Sequence, residues 1–172
     1  MSGNYEPARI EIQQLTEDHL ASWRTLRLHA LRDRPDAFGS TYEAEAVLDD
    51  EGWAAKWESW IGSPGGVWAA MQGEKPVGLV GCVCDHEAAG RAWLISMWVA
   101  PEVRGRGLGK ALIASAIRWA KDQGLKELRL EVTSNNPVAA QLYSRMGFVM
   151  TGSSVPHPRN PALREKEMLL VL

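Results

Sequence analysis

The sequence predicts a single α/β domain spanning 1–172, built on a mixed, mostly antiparallel sheet of about seven strands with about four helices. Three observations carry that prediction. Strand-like stretches with period two interleave with helix-like stretches along the whole chain. A Gly-Glu-Lys-Pro turn joins two neighbouring strand-like runs. A run that is apolar almost throughout, Ala92 to Val99, leads through a glycine-rich turn into an amphipathic helix. With 172 residues, 45% of them hydrophobic, the chain has the material for one core.

Taken in order, Arg9 to Leu15 alternates around Ile10, Ile12 and Leu15 and reads as a first strand. Thr16 is placed to cap a helix running to about Arg32, with Glu17 and Asp18 at its positive end. Asp33-Arg34-Pro35 ends it, because the residue before a proline disfavours helical geometry. A second helix is expected over Asp49 to Ile61, with Trp53, Trp57 and Trp60 on one side, and Gly62-Ser-Pro-Gly-Gly66 stops it. Val67–Met71 and Val77–Cys84 form the hairpin around Gly73–Pro76. Ala92–Val99 follows as a central strand, then a helix from Gly107 to Gln123 closed by Gly124. Glu127–Val132 is a strand, Pro137–Met146 a short helix closed by Gly147, and Phe148–Gly152 and Glu167–Leu172 complete the sheet. The proline-rich stretch Val155–Pro161 is expected to be a loop, since proline cannot donate to a ladder.

Composition excludes several classes. Nineteen Lys plus Arg against 21 Asp plus Glu give a net charge of −2, which does not support a nucleic-acid partner. Met1–Pro7 lacks the basic and apolar regions of a secretion signal, and no apolar run has the length of a membrane span; a cytoplasmic protein without a membrane partner is the expectation. Cys82 and Cys84 would share one face of a strand, poor geometry for a mutual disulfide, and no Cys/His cluster offers a metal site.

The chemistry concentrates in Arg104-Gly105-Arg106-Gly107-Leu108-Gly109-Lys110, between the buried strand and a helix with Leu108, Leu112, Ala116 and Ala120 at four-residue spacing. A glycine-rich turn entering a helix points several N–H groups at one anion, aided by the helix dipole. Arg104, Arg106 and Lys110 add positive charge. A P-loop would need glycine at position 104 and Ser or Thr at 111, where Arg104 and Ala111 stand. A dinucleotide fingerprint needs G-x-G-x-x-G, whereas these glycines read G-x-G-x-G, although Glu131 could stand in for its ribose-binding acid. A plain structural turn is the remaining alternative.

A second motif lies downstream: Asn136-Pro-Val-Ala-Ala-Gln-Leu-Tyr143-Ser-Arg-Met-Gly147-Phe148. Asn136 is a natural N-cap, Pro137 suits the first helical position, and Gly147 closes the helix. Asn136 and Tyr143, two turns apart, share a face at a separation of about 10 Å. The pair Arg104-x-x-Gly107-x-Gly109 and Asn136 to Phe148 resembles the two signatures of the Gcn5-related N-acetyltransferase (GNAT) superfamily, in the usual order. Gly73–Gly81, Glu167-Met168 and the segment Arg32–Glu45 resemble further parts of bacterial members.

That resemblance implies a GNAT fold and an N-acetyltransferase that moves the acetyl group of acetyl-coenzyme A (acetyl-CoA) to a primary amine of a small molecule by direct attack. The alternatives are acetylation of a protein N-terminus or lysine, and a non-catalytic acyl-coenzyme A sensor. It implies a cofactor site formed by Met97, Trp98, Val99, Arg104, Gly105, Arg106, Gly107, Leu108, Gly109, Lys110, Asn136 and Tyr143. An N–H near Met97–Val99 would face the oxyanion, and Tyr143 would serve as the acid toward the departing thiolate. The strand at Leu94–Val99 would splay from Glu127–Val132 to admit the pantetheine arm. Phe38, Tyr42 and Glu43 are the substrate-side candidates, with the tryptophans of the second helix as a weaker apolar wall. No metal is implied, and a homodimer is admitted. Where many relatives carry an acid on the cofactor strand this chain has Ser96, which cannot take a proton by itself. Glu43, Glu45, Glu131 or a water chain are the substitutes. Arg27, on the apolar face with Leu20, Trp23 and Leu31, hints at an anionic partner, with snorkelling as the plainer account.

Overall fold

A computed structural model describes residues 9–62 and 64–172; Met1–Pro7, read above for a secretion signal, and Ser63 lie outside the described residues. Strand β1 (Ile10–Gln14) is followed by helices α1 (Leu20–Asp33), α2 (Tyr42–Ala46) and α3 (Asp50–Ile61), then strands β2 (Gly65–Gln72), β3 (Lys75–Cys84) and β4 (Arg91–Val99). Helix α4 (Leu108–Asp122), strand β5 (Glu127–Thr133), helix α5 (Pro137–Arg145) and strands β6 (Val149–His157) and β7 (Asn160–Val171) complete the chain. The sheet has the order β1-β2-β3-β4-β5-β7-β6, antiparallel except between β4 and β5.

The expected sheet and helices are present, and α2 is an additional short helix. Its cap explains it: the Thr41 hydroxyl oxygen accepts from the Ala44 N–H at 3.1 Å. The proline-rich stretch is a correction. Val155–His157 belongs to β6, and Pro161 lies in β7. Proline is tolerated there because β6 is an edge strand, and Pro161 precedes the part of β7 that pairs with β5.

The helices cover opposite faces of the sheet. Gly78 and Gly81 stand three residues apart on β3, so their side-chain directions are opposed. A Cβ at Gly78 would meet Leu112 of α4 at 3.1 Å, and one at Gly81 would meet Trp60 of α3 at 3.1 Å. Helix α4 buries Leu108, Leu112, Ile113, Ala116 and Ala120, the stripe expected from its spacing. On the other face Trp23 packs edge-on against Trp53, Trp57 and Trp60 at 5.5, 5.2 and 5.0 Å between ring centroids. Each large buried side chain contributes about 1.5–3 kcal/mol. Among the described residues no helix is long and apolar enough to cross a membrane.

Two features of β4 position the site. It pairs with β5 only through Arg91–Trp93 against Glu127–Arg129, after which the strands part. It also carries a bulge: Leu79 faces Trp98 and Gly81 faces Ile95, so two steps on β3 span three on β4. Ser96 takes up the extra residue with φ 55°, a left-handed conformation costly for a non-glycine residue.

Candidate active site

The parted strands open a cleft of about 870 Å³ that runs from the α4–α5 face to the α1–α3 face. Its first half is made of backbone. Gly105 and Gly107 hold φ of 78° and 77°, which L side chains rarely adopt, and a Cβ at either would meet open space. Gly109 is glycine for another reason: a Cβ there would lie 2.9 Å from Leu142 and 3.1 Å from Met97. Main-chain bonding resumes at Ala111, whose N–H donates to the Gly107 carbonyl at 3.1 Å. Among the described residues the N–H groups from Gly105 to Lys110 have no protein acceptor, a row of unsatisfied donors at a helix start suited to an anion.

Asn136 caps α5, its Oδ1 accepting from the Ala139 N–H at 3.2 Å. Tyr143 lies two turns on, 7% exposed, with its ring edge-on to Phe148 at 6.0 Å. Among the described residues its hydroxyl has no protein partner. Burial pushes the phenol's pKa up, so it stays protonated through the neutral range. Arg104 is turned to α1: its Nε donates to the Val99 carbonyl at 3.0 Å and its Nη2 bonds Asp33. Trp98 Nε1 donates to the same carboxylate at 2.9 Å. Desolvation works against the Asp33 charge, but these hydrogen bonds and the Arg104 charge outweigh it and hold the carboxyl below its ordinary value.

The cleft thus brings together Met97, Trp98, Val99, Arg104, Gly105, Gly107, Leu108, Gly109, Lys110, Asn136 and Tyr143, with Phe38 on the far side. Three candidates lie outside its lining. Arg106 is exposed on the turn, the Tyr42 ring is covered by the Arg32 guanidinium at 4.1 Å, and Glu43 sits on the solvent side of α2. Of the α3 tryptophans only Trp60 reaches the cleft; Trp53 and Trp57 are packed against Trp23.

The second half is made of side chains. Arg27 does not snorkel: it is 5% exposed and held between the Phe38 and Trp60 rings at 5.2 and 5.5 Å. Its Nε and Nη2 donate to Glu45 at 3.0 and 2.8 Å, and its Nη1 to the Ser96 hydroxyl oxygen at 2.7 Å. The anionic partner is therefore Glu45, to which Lys56 also pairs at 3.1 Å. Burial opposes the Glu45 charge, yet the Arg27 bonds and the charges of Arg27 and Lys56 prevail and hold its carboxyl below the ordinary range. That removes Glu45 as a base. Glu131 does line the cleft, beside Glu165. Desolvation, then the charges of Glu165 and Glu167, push the Glu131 carboxyl above its ordinary value.

Sequence spacing missed how the far lip is built. His157 is buried, its Nδ1 accepting from the Arg159 and Asn160 N–H groups at 3.2 and 3.1 Å. Its remaining ring nitrogen lies 3.1 Å from the Asp36 carbonyl. Arg159 donates to the carbonyls of Pro35, Phe38 and Ser40. The β6–β7 tip is thereby stapled to the segment between α1 and α2, and Phe38, Gly39, Ser40 and Pro158 all line the cleft. The proline-rich stretch was the available signal: a rigid turn beside a histidine and an arginine.

Known proteins share this fold. The model of the Acetyltransferase (GNAT) family matches residues 15–148. An uncharacterized N-acetyltransferase of Methanocaldococcus jannaschii is 32% identical over 143 residues, which is 80% of this chain and 59% of that protein. The chain thus spans less than two thirds of that relative's length. Among solved structures, an acetyltransferase of Salmonella typhimurium with acetyl-CoA superposes with a TM-score of 0.78 at 19% identity, covering 95% of this chain and 94% of that one. A spermidine N-acetyltransferase of Vibrio cholerae, in complex with CoA and spermine, superposes with a TM-score of 0.73 at 18% identity, covering 94% and 95%.

Proposed function

The chain belongs to the acetyltransferase (GNAT) family, and on that premise we propose that it transfers the acetyl group of acetyl-CoA to a primary amine of a small molecule. The observation that carries this reading is that, among the described residues, the N–H row of Gly105–Lys110 and the hydroxyl of Tyr143 both lack a protein partner at one cleft. A phosphate-bearing ligand fits the first, and an acid for a departing thiolate fits the second.

Gly105 to Lys110 would hold the pyrophosphate, with Asn136 and the edge of β4 beyond the bulge along the arm. The bound thioester supplies an activated acyl carbon. Main-chain N–H groups of β4 past Ser96 face the developing oxyanion, a fixed donor of the kind worth most in acyl transfer. Tyr143 gives its phenolic proton to the sulfur, and the proton shed by the attacking nitrogen restores the phenol. The stapled lip, with Phe38, Gly39, Ser40 and Pro158, narrows the acceptor side of the cleft, which supports a small amine over a peptide. Ser96 leaves proton removal from the incoming amine to groups across the cleft.

The test is direct: incubate the protein with acetyl-CoA and a panel of amines and peptides, and follow thiol release. Release with small amines is the expected result. Absence of acetyl-CoA binding by calorimetry would sink the reading, and release with peptides alone would shift it to a protein acceptor.

A further inference from the structure

We propose that the Ser96 hydroxyl is a hydrogen-bond donor to the acyl oxygen of the bound thioester, and that Arg27 is the positioning residue that aims it. This rests on the transfer reading above and adds a side chain to the main-chain donors of β4.

Counting protons decides it. Ser96 sits at the β4 bulge, half-buried, and lines the cleft. Its oxygen accepts from Arg27 Nη1 at 2.7 Å. A guanidinium has donors only, so the serine is the acceptor in that bond and its own proton is directed elsewhere. Among the described residues no protein group takes that proton. A hydroxyl whose oxygen accepts from a cation is polarised and becomes the stronger donor. The cleft therefore contains an O–H with a cation behind it and no protein acceptor in front.

Arg27 is held in one place for this. Its Nε and Nη2 are fixed on Glu45, and the Phe38 and Trp60 rings flank its guanidinium. Lys56 adds a second cation to the same carboxylate, so positive charge is in excess in this cluster. A buried array of this kind stabilises a fold no better than apolar side chains of the same volume. The one side-chain bond it sends to the cleft wall on β4 goes to Ser96. The left-handed φ of Ser96 is a local cost at that same residue.

The reaction itself selects the partner. The amine lone pair is consumed by the attack, and the sulfur is met by Tyr143. The acyl oxygen alone gains negative charge as the tetrahedral intermediate forms, and a fixed donor contributes most where charge develops. A serine hydroxyl and the N–H that follows it in the chain can converge on one oxygen, so Ser96 and Met97 can act together. The hydroxyl keeps its proton throughout and contributes a hydrogen bond only.

The first measurement needs no acceptor amine. Acetyl-CoA carrying a heavy isotope at the acyl carbon is bound to the protein, and its carbonyl stretch is read by infrared difference spectroscopy. The band should lie at lower wavenumber in the wild type than in Ser96→Gly. That variant relieves the left-handed φ and should keep acetyl-CoA affinity within about twofold by calorimetry. Arg27→Lys retains the charge without the planar fork, and its band should fall between those two. Added to Ser96→Gly it should shift the band no further, because Arg27 acts through the hydroxyl. With the best acceptor of the amine panel, kcat should fall about a hundredfold in Ser96→Gly. An unmoved band or an unchanged kcat in Ser96→Gly would overturn the donor role. A further shift in the double variant would overturn the positioning role of Arg27. The expected band shifts with no thiol release from any amine would keep the donor and remove the transfer reading. Absence of acetyl-CoA binding would remove both.

Discussion

At Gly105 and Gly107–Lys110 the cleft is lined by the turn into α4 with its free main-chain N–H groups, while across the β4–β5 gap it is lined by side chains from α1, α3, β4, β5, β7 and two connecting segments. In the first half the ligand is met by backbone, so the sequence constraint falls on conformation, and glycine at fixed spacing is the result. In the second half it is met by charges and rings whose arrangement exists only after folding. Change should therefore be tolerated differently: the backbone half fails through geometry, the side-chain half through unpaired charge.

The largest effect should come from the side-chain half. Arg27→Met leaves Glu45 buried with Lys56 alone and should cost about 3–5 kcal/mol of stability, read from urea denaturation. The Glu45 carboxyl is held below its unfolded value, so its contribution is complete above the ordinary glutamate pKa of about 4.3 and fades as pH falls through the folded value. The gap between variant and wild type should narrow accordingly in acid. Next, Tyr143→Phe should lower kcat about a hundredfold with acetyl-CoA affinity held within about twofold. Equal turnover would remove Tyr143 from proton transfer.

Smaller effects should divide the glycines. Gly109→Ala should cost about 1–3 kcal/mol through overpacking against Leu142 and Met97, visible in thermal melts without ligand. Gly107→Ala meets no neighbour but strains a φ of 77°, about 1–2 kcal/mol, and should weaken acetyl-CoA binding more than it lowers the melt. Identical behaviour of the two would break the distinction between a conformational and a packing glycine. Smallest of all, Ser96→Gly relieves a φ of 55° while losing the Arg27 hydrogen bond, and its net effect on denaturation should stay within about 1 kcal/mol.

The same contrast explains what could be read in advance. The α4 stripe, the Asn136 cap and the turn at Gly105–Gly109 are local, each set by residues within a few positions, and are legible from residue spacing. Arg104 and Asp33 are 71 residues apart, and Arg27 and Ser96 are 69 apart, so no spacing rule links them. The Arg27–Glu45 pair, 18 apart, was visible only as an arginine on an apolar face. The proline stretch misled because edge position in a sheet, which decides whether proline is tolerated, depends on strand order.

The short seam between β4 and β5 has a consequence for how the molecule opens. Three paired positions and the chain segment after α4 join two units of the sheet, β1–β4 and β5–β7, so ladder hydrogen bonding between them is sparse while a shared core and the β6–β7 staple hold them together. A ligand seated in that gap touches both units, and its binding energy becomes coupling between them. Amide protons along Leu94–Val99 and Leu130–Thr133 should therefore exchange faster than those of β2 and β3 in the free protein, and slow together when the cleft is filled.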